Sequence, residues 1–294
     1  MTIIKEYRIP LPITVKEYQV GQLYSVAEAS KDNTGGGEGV EVVQNEPYTN
    51  GEEKGQYTFK IFRMESKVPL IMRKLLPKGS MVFHEKAWNA YPYCKTVITN
   101  PEYMKENMEV IVASWHKSDL GDLENVHNLN AEDLKNREVI NVDFVTFQPS
   151  RSDYKAEADP QIYKNPTDST RSALKPTWLQ ELKMTKKSYD DGLKLGIAES
   201  DLPKVPPHMC AYKLVTIKFK WFGIQGRMES FMHSQQKRVF SLFHRQVYCW
   251  LDKWVDMTME DIRALEDKTK EDLEENINKG GLKGYTANDE GSKN

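Results

Sequence analysis

VFHEKAWNAYPYCKTVITN, residues 82–100, sets polar groups into a strand pattern that an oily core would not choose. Asn89, Cys94 and Thr96 stand among Trp88, Tyr91, Tyr93, Val97 and Ile98. A β-rich wall carrying a few hydrogen-bonding groups suits a ligand with an apolar body and a polar head. Working outward, strands are predicted over 3–13, 40–44, 56–63, 80–89, 93–99, 109–115, 138–147 and 209–222. Strands that follow one another with short connections argue for an antiparallel sheet rather than βαβ units.

Helical spacing appears on both sides of these strands. Tyr18, Leu23, Val26 and Ala27 mark an amphipathic helix over 15–30. Met232, Val239, Phe243, Val247, Trp250 and Trp254 form one stripe of a long helix over 225–256. Thr258 with Asp261 resembles a capping box that opens a last helix running to about 279. Residues 32–39, DNTGGGEG, read as a turn, and 148–208 as a long, partly ordered excursion rich in Pro, Ser, Lys and Asp. The tail after Gly280 is small and polar and is expected to fray unless docked. The expected class is α+β: a concave, mostly antiparallel sheet flanked by two long helices, one domain over 1–294.

Composition narrows the function. The chain has 294 residues, 39% hydrophobic and 29% charged, enough for a substantial core. A net charge of −2 gives no electrostatic reason to invoke nucleic acid. No run of about 18 apolar residues exists to span a membrane. The charged, alternating first residues do not form a secretory signal. Three widely spaced cysteines, Cys94, Cys210 and Cys249, suit a reducing compartment, so a cytoplasmic protein is expected.

Catalytic signatures are weak. There is no Gly-x-Ser-x-Gly elbow, no P-loop and no His-Glu-x-x-His. The six histidines are scattered, so no metal site and no cofactor are expected. Two charged residues draw the eye instead. On the strand around Tyr57, alternation puts Thr58 and Lys60 on one face, which is either solvent or the inside of a cavity. Glu266 shares a helical stripe with Ile262, Thr269, Leu273 and Ile277. A buried carboxylate there needs a partner, for which Lys60 or a polyhydroxyl ligand would serve. Trp221 and Phe222 follow two lysines, a composition favoured at membrane–water interfaces.

The motifs KEYRI, EYQVGQLYSVAEASK, TGGGEGVEV, GQYTFKI, HEKAWNAYPYCKTVITN, DYKAE, CAYKLVTIKFKW and FHRQVYCWLDKWVD together resemble the class I phosphatidylinositol transfer proteins over 3–160 and 209–275. The resemblance implies a START-like, helix-grip fold around one phosphatidylinositol or phosphatidylcholine molecule, with residues 257–294 as a lid. It implies a monomer that moves phospholipid between membranes, with transient membrane contact and no catalysis. By the same resemblance Thr58, Lys60, Asn89 and Glu266 fall on inositol-contacting positions, and Gln22, Thr96, Ser114 and Lys213 surround the phosphate. Cys94 and Phe243 would line the lipid cavity, and Trp221 with Phe222 would dock on the membrane. Three departures stand out: Phe222 where a second Trp is usual, Ser114 for Thr, and Asn165 at a regulatory serine position. Residues 183–206 are an expansion with no function assigned. A lipid sensor that presents its cargo to a partner, or a lipid hydrolase, are the alternatives.

Overall fold

The strands are β1 Ile3–Leu11, β2 Gly39–Asn50, β3 Glu53–Arg63, β4 Val82–Ala90, β5 Tyr93–Thr99, β6 Met108–Lys117, β7 Glu138–Asn141 and β8 Met209–Phe219. They form one open sheet in the order β2-β3-β4-β5-β6-β8-β1-β7 in the computed structural model, which describes residues 3–67, 77, 79–220 and 225–284. Every neighbouring pair is antiparallel except β1 and β7, which run parallel. The strand expected over 138–147 stops at Asn141. Beyond it the Asp143 carboxylate accepts from the Val145 amide at 3.0 Å and the Trp178 indole at 3.2 Å, which turns the chain away from the ladder.

The helices are α1 Val15–Asp32, α2 Ala131–Asn136, α3 Trp178–Lys194, α4 Gln225–Cys249, α5 Leu251–Trp254 and α6 Met259–Asn276. Reciprocal capping boxes start α1 (Thr14 with Glu17) and α6 (Thr258 with Asp261). The single helix expected over 225–256 is in fact broken: α4 ends at Cys249, and α5 turns Trp254 inward. Its indole donates to the Val247 carbonyl at 2.9 Å. A Cβ at Gly21 would lie 2.8 Å from that indole, so α1 reaches this corner only because residue 21 is glycine. The excursion carries α3, a 17-residue helix that buries Trp178, Leu182 and Gly192.

Directly opposed residues of paired strands share a face. Tyr7, Ile9, Ala211, Val215 and Ile217 are all completely buried on one face, and α4 covers them there. The Tyr7 ring meets Phe240 edge-on at 5.2 Å, and its hydroxyl donates to the His233 carbonyl at 3.1 Å. On the opposite face, Arg8 donates to the Gly121 carbonyl at 2.8 Å, while Arg137 and Arg8 both hold the buried Glu6 at 2.7 Å. This half of the sheet is packed on both sides. By contrast, β4 and β5 stay half-buried at nearly every position, on both faces. A sheet half with that exposure is a wall rather than a core. No helix among the described residues is long and apolar enough to cross a membrane.

The glycine loop does more than connect. The Gly36 amide donates to the Lys279 carbonyl at 3.1 Å and the Gly37 amide to Ile277 at 2.7 Å. Glu38 accepts from the Ser66 amide at 2.8 Å and from its hydroxyl at 2.5 Å. Farther on, the Lys67 ammonium donates to the Lys283 carbonyl, so the chain after α6 is docked as far as Lys283 rather than frayed from Gly280.

Candidate ligand-binding site

Sheet register gathers the polar residues into rows. Asn89 opposes Cys94, Cys94 opposes Ser114, Ser114 opposes Lys213, and Lys213 opposes Tyr7. One rung along, Asn45, Thr58, Ala87, Thr96 and Val112 line up. The next rung carries Val42, Lys60, Glu85 and Ile98. All three rows lie on the face that α4 covers farther along the sheet, so Thr58 and Lys60 point inward. The solvent alternative left open by alternation does not hold.

Lys213 is the centre of this face. Its ammonium lies 5.5 Å from the Phe240 ring centroid, and no carboxylate among the described residues pairs with it. Burial pulls its pKa down, and Cys94 acts in the opposite sense. Burial pushes the Cys94 thiol up to about 11, against smaller opposing effects of Lys213 and of a hydrogen bond with Gln22. The thiol also donates to Asn89 Oδ1 at 2.9 Å. Gln22 of α1 thus faces the first row directly. Phe243 of α4 is half-buried, edge-on to His244 at 5.3 Å.

Two neutral imidazoles back this face. His244 Nδ1 donates to the Phe240 carbonyl at 2.6 Å, leaving Nε2 to accept from the Tyr18 hydroxyl at 2.9 Å. His116 stacks on Tyr91 at 5.0 Å, and its Nδ1 donates to the Pro92 carbonyl at 2.9 Å. Burial first, then the charge of Lys213, holds His116 well below its usual range and His244 down at about 3. An unfolded imidazole takes its proton near 6.5. Between these values the unfolded chain binds more protons, so stability is complete above about 6.5 and drains away as the pH falls toward 3. The thermal unfolding midpoint should therefore fall steadily from pH 7 to pH 4. A midpoint that stays level across that span would contradict the neutral-imidazole assignment.

Glu266 is half-buried, but its partners differ from those expected. Its Oε2 accepts from Asn45 Nδ2 at 3.0 Å and from Arg263 Nη1 at 2.5 Å. Lys60 instead faces Glu85 at 3.9 Å. Asn45 Oδ1 in turn accepts from Gln56 Nε2 at 2.9 Å. Beside this chain lies a polar cavity of about 190 Å³ between α1, α6 and the ends of β3 and β4; Gln19, Lys54, Gln56, Asn89 and Arg263 line it. Asn45, Gln56 and Arg263 were not singled out in the sequence. Asn45 lies beyond the strand expected over 40–44, and a bulge between Val42 and Gln44 breaks the alternation that would have pointed it inward. Arg263 carried a signal, since it stands three residues before Glu266 on one helix.

Two sequence expectations stand apart from this face. Trp221 and Phe222 lie outside the described residues. Asn165 is buried, and its Oδ1 accepts from the Thr167 and Asp168 amides at 3.0 and 3.1 Å, the work of a turn residue.

Comparison with known proteins places these features in a family. The model of the family described as phosphatidylinositol transfer protein matches residues 2–271. The chain is 52% identical over 290 residues to the phosphatidylinositol transfer protein beta isoform of Rattus norvegicus, covering 98% of this chain and all of that protein. It is 51% identical to the Homo sapiens beta isoform over the same length and coverage. Phosphatidylinositol transfer protein 1 of Dictyostelium discoideum is 42% identical over 275 residues, 94% of this chain and 96% of the relative.

Proposed function

The chain belongs to the phosphatidylinositol transfer protein family, and from that membership we propose that it carries one phosphatidylinositol or phosphatidylcholine molecule at a time between membranes. The observation that carries this reading is Lys213, a half-buried, partly desolvated ammonium without a carboxylate partner among the described residues. Burying such a charge alone is costly. The phosphodiester common to both lipids supplies the missing anion, with Ser114, Thr96 and Gln22 donating around it. Asn89, at the far end of the same row, and Thr58 and Lys60, one and two rungs along, donate to inositol hydroxyls while Glu266 accepts from them. Cys94 and Phe243 stand against the apolar part of the cargo.

Transfer follows from the physics of the tails. Each buried CH₂ gains about 0.8 kcal/mol, so a free two-tailed lipid is prohibitively unfavourable in water. A carrier exchanges one apolar medium for another, and the headgroup contacts then set preference. Trp221 and Phe222 are assigned to membrane docking, and residues 257–294 to a lid that opens for exchange. Lipid and membrane surface are all this cycle requires, so a monomer suffices. Hydrolysis is disfavoured because the Cys94 thiol, pushed up to about 11, stays protonated near neutral pH.

Headgroup mutants test the assignment. Lys60→Ala and Glu266→Ala should each lower phosphatidylinositol transfer by about tenfold or more, since a hydrogen bond to a charged group is lost. Phosphatidylcholine transfer should remain near the starting rate. Vesicle-to-vesicle assays with each labelled lipid decide it, and equal losses for both lipids reject the headgroup roles.

A further inference from the structure

Both protein donors to Glu266 converge on the same oxygen. Asn45 at 3.0 Å and Arg263 at 2.5 Å approach Oε2, and Oε1 receives no hydrogen bond from the described residues. The direction of the chain is fixed, because Asn45 Oδ1 is occupied by Gln56 and only its amide nitrogen can face the carboxylate. Arg263 also lines the polar cavity together with Lys54 and Asn89.

A bare carboxylate at this place would be an ambiguous reader. It accepts from a hydroxyl, but it also attracts a quaternary ammonium. Arg263 removes the second property by balancing the charge and setting its own cation in the way, while Oε1 keeps its capacity to accept. Selection against a wrong ligand commonly rests on such a repulsive element. We propose that Arg263, with Asn45 and Gln56 fixing the Glu266 carboxylate beside it, is the residue that discriminates hydroxyl-bearing headgroups from quaternary-ammonium ones. The inference rests on the headgroup role of Glu266 given above and adds the residue that makes it selective.

The test uses the full chain equilibrated with vesicles of equal phosphatidylinositol and phosphatidylcholine, followed by mass spectrometry of the lipid recovered with the protein. Arg263→Gln should shift the bound ratio toward phosphatidylcholine by about tenfold, on the scale of one charged contact. Arg263→Lys, which keeps the charge, should restore most of the original ratio. Asn45→Leu, which leaves Arg263 in place, should weaken loading from vesicles whose only exchangeable lipid is phosphatidylinositol while leaving loading from phosphatidylcholine vesicles unchanged. An unchanged ratio in Arg263→Gln overturns the inference, and so does an equal shift in the Gln and Lys variants. Glu266→Gln measured alongside separates the two levels. A response there with none at residue 263 overturns this inference alone, and silence at both overturns the headgroup reading as well.

Discussion

Replacing Lys213 with Met should abolish measurable carriage of both phospholipids while making the lipid-free chain more stable. The two effects have opposite signs because one group causes both. In the proposed loaded state the ammonium pairs with the phosphodiester, and removing one partner of a buried ion pair costs about 3–5 kcal/mol. That corresponds to a loss of roughly a hundredfold or more in affinity, the same for either headgroup. Without cargo, the ammonium is desolvated and unmatched by any carboxylate among the described residues, so a methionine of similar length relieves the cost. Acid sensitivity should ease as well, since Lys213 is the second cause holding His116 and His244 low. Paired transfer assays and thermal melts of the delipidated protein check this. Normal transfer of both lipids by Lys213→Met would remove the anchor from the account.

Gly36→Ala should free the end of the chain. Residue 36 sits at φ +67, and a Cβ there would lie 2.6 Å from the Leu282 amide nitrogen and 2.7 Å from the Gly281 carbonyl carbon. Left-handed backbone costs a side-chain-bearing residue about 1–2 kcal/mol before any clash is counted. The cheapest relief is for the docked segment to leave, breaking the bonds from Gly36 and Gly37 to Lys279 and Ile277. Trypsin should then cut at Lys279 and Lys283 about tenfold faster or more, as the docking free energy falls by at least the left-handed strain. Gly51→Ala is the control, for it has a similar φ of +62 but no atom within 4 Å of the added Cβ. If the two variants are cut alike, the close approach is not what holds the segment down.

Much of the fold was legible because short-range signals carry it. β5 matches its predicted limits, and Thr258 with Asp261 starts α6 as the capping box required. The parallel pairing of β7 with β1 was not, because it depends on Arg137 reaching a buried Glu6 across more than a hundred residues. Helix α3 was masked by the lysines at 183, 186 and 187, which dilute its apolar stripe. For the site, alternation named Thr58 and Lys60 but not the face they occupy, and only the cross-strand register resolves that. Asn45 was lost to a bulge, which period-two reasoning cannot cross.

The sheet divides into a half packed on both faces and a half that is not, and this separates the holding of shape from the holding of cargo. Strands β8 and β1 carry side chains buried on both faces, whereas β4 and β5 stay half-buried on both. Local opening is cheapest where few apolar contacts close a surface. Amide exchange should therefore be slow in the first group under all conditions and rise in the second when cargo departs, so an emptied carrier slackens along one flank without unfolding.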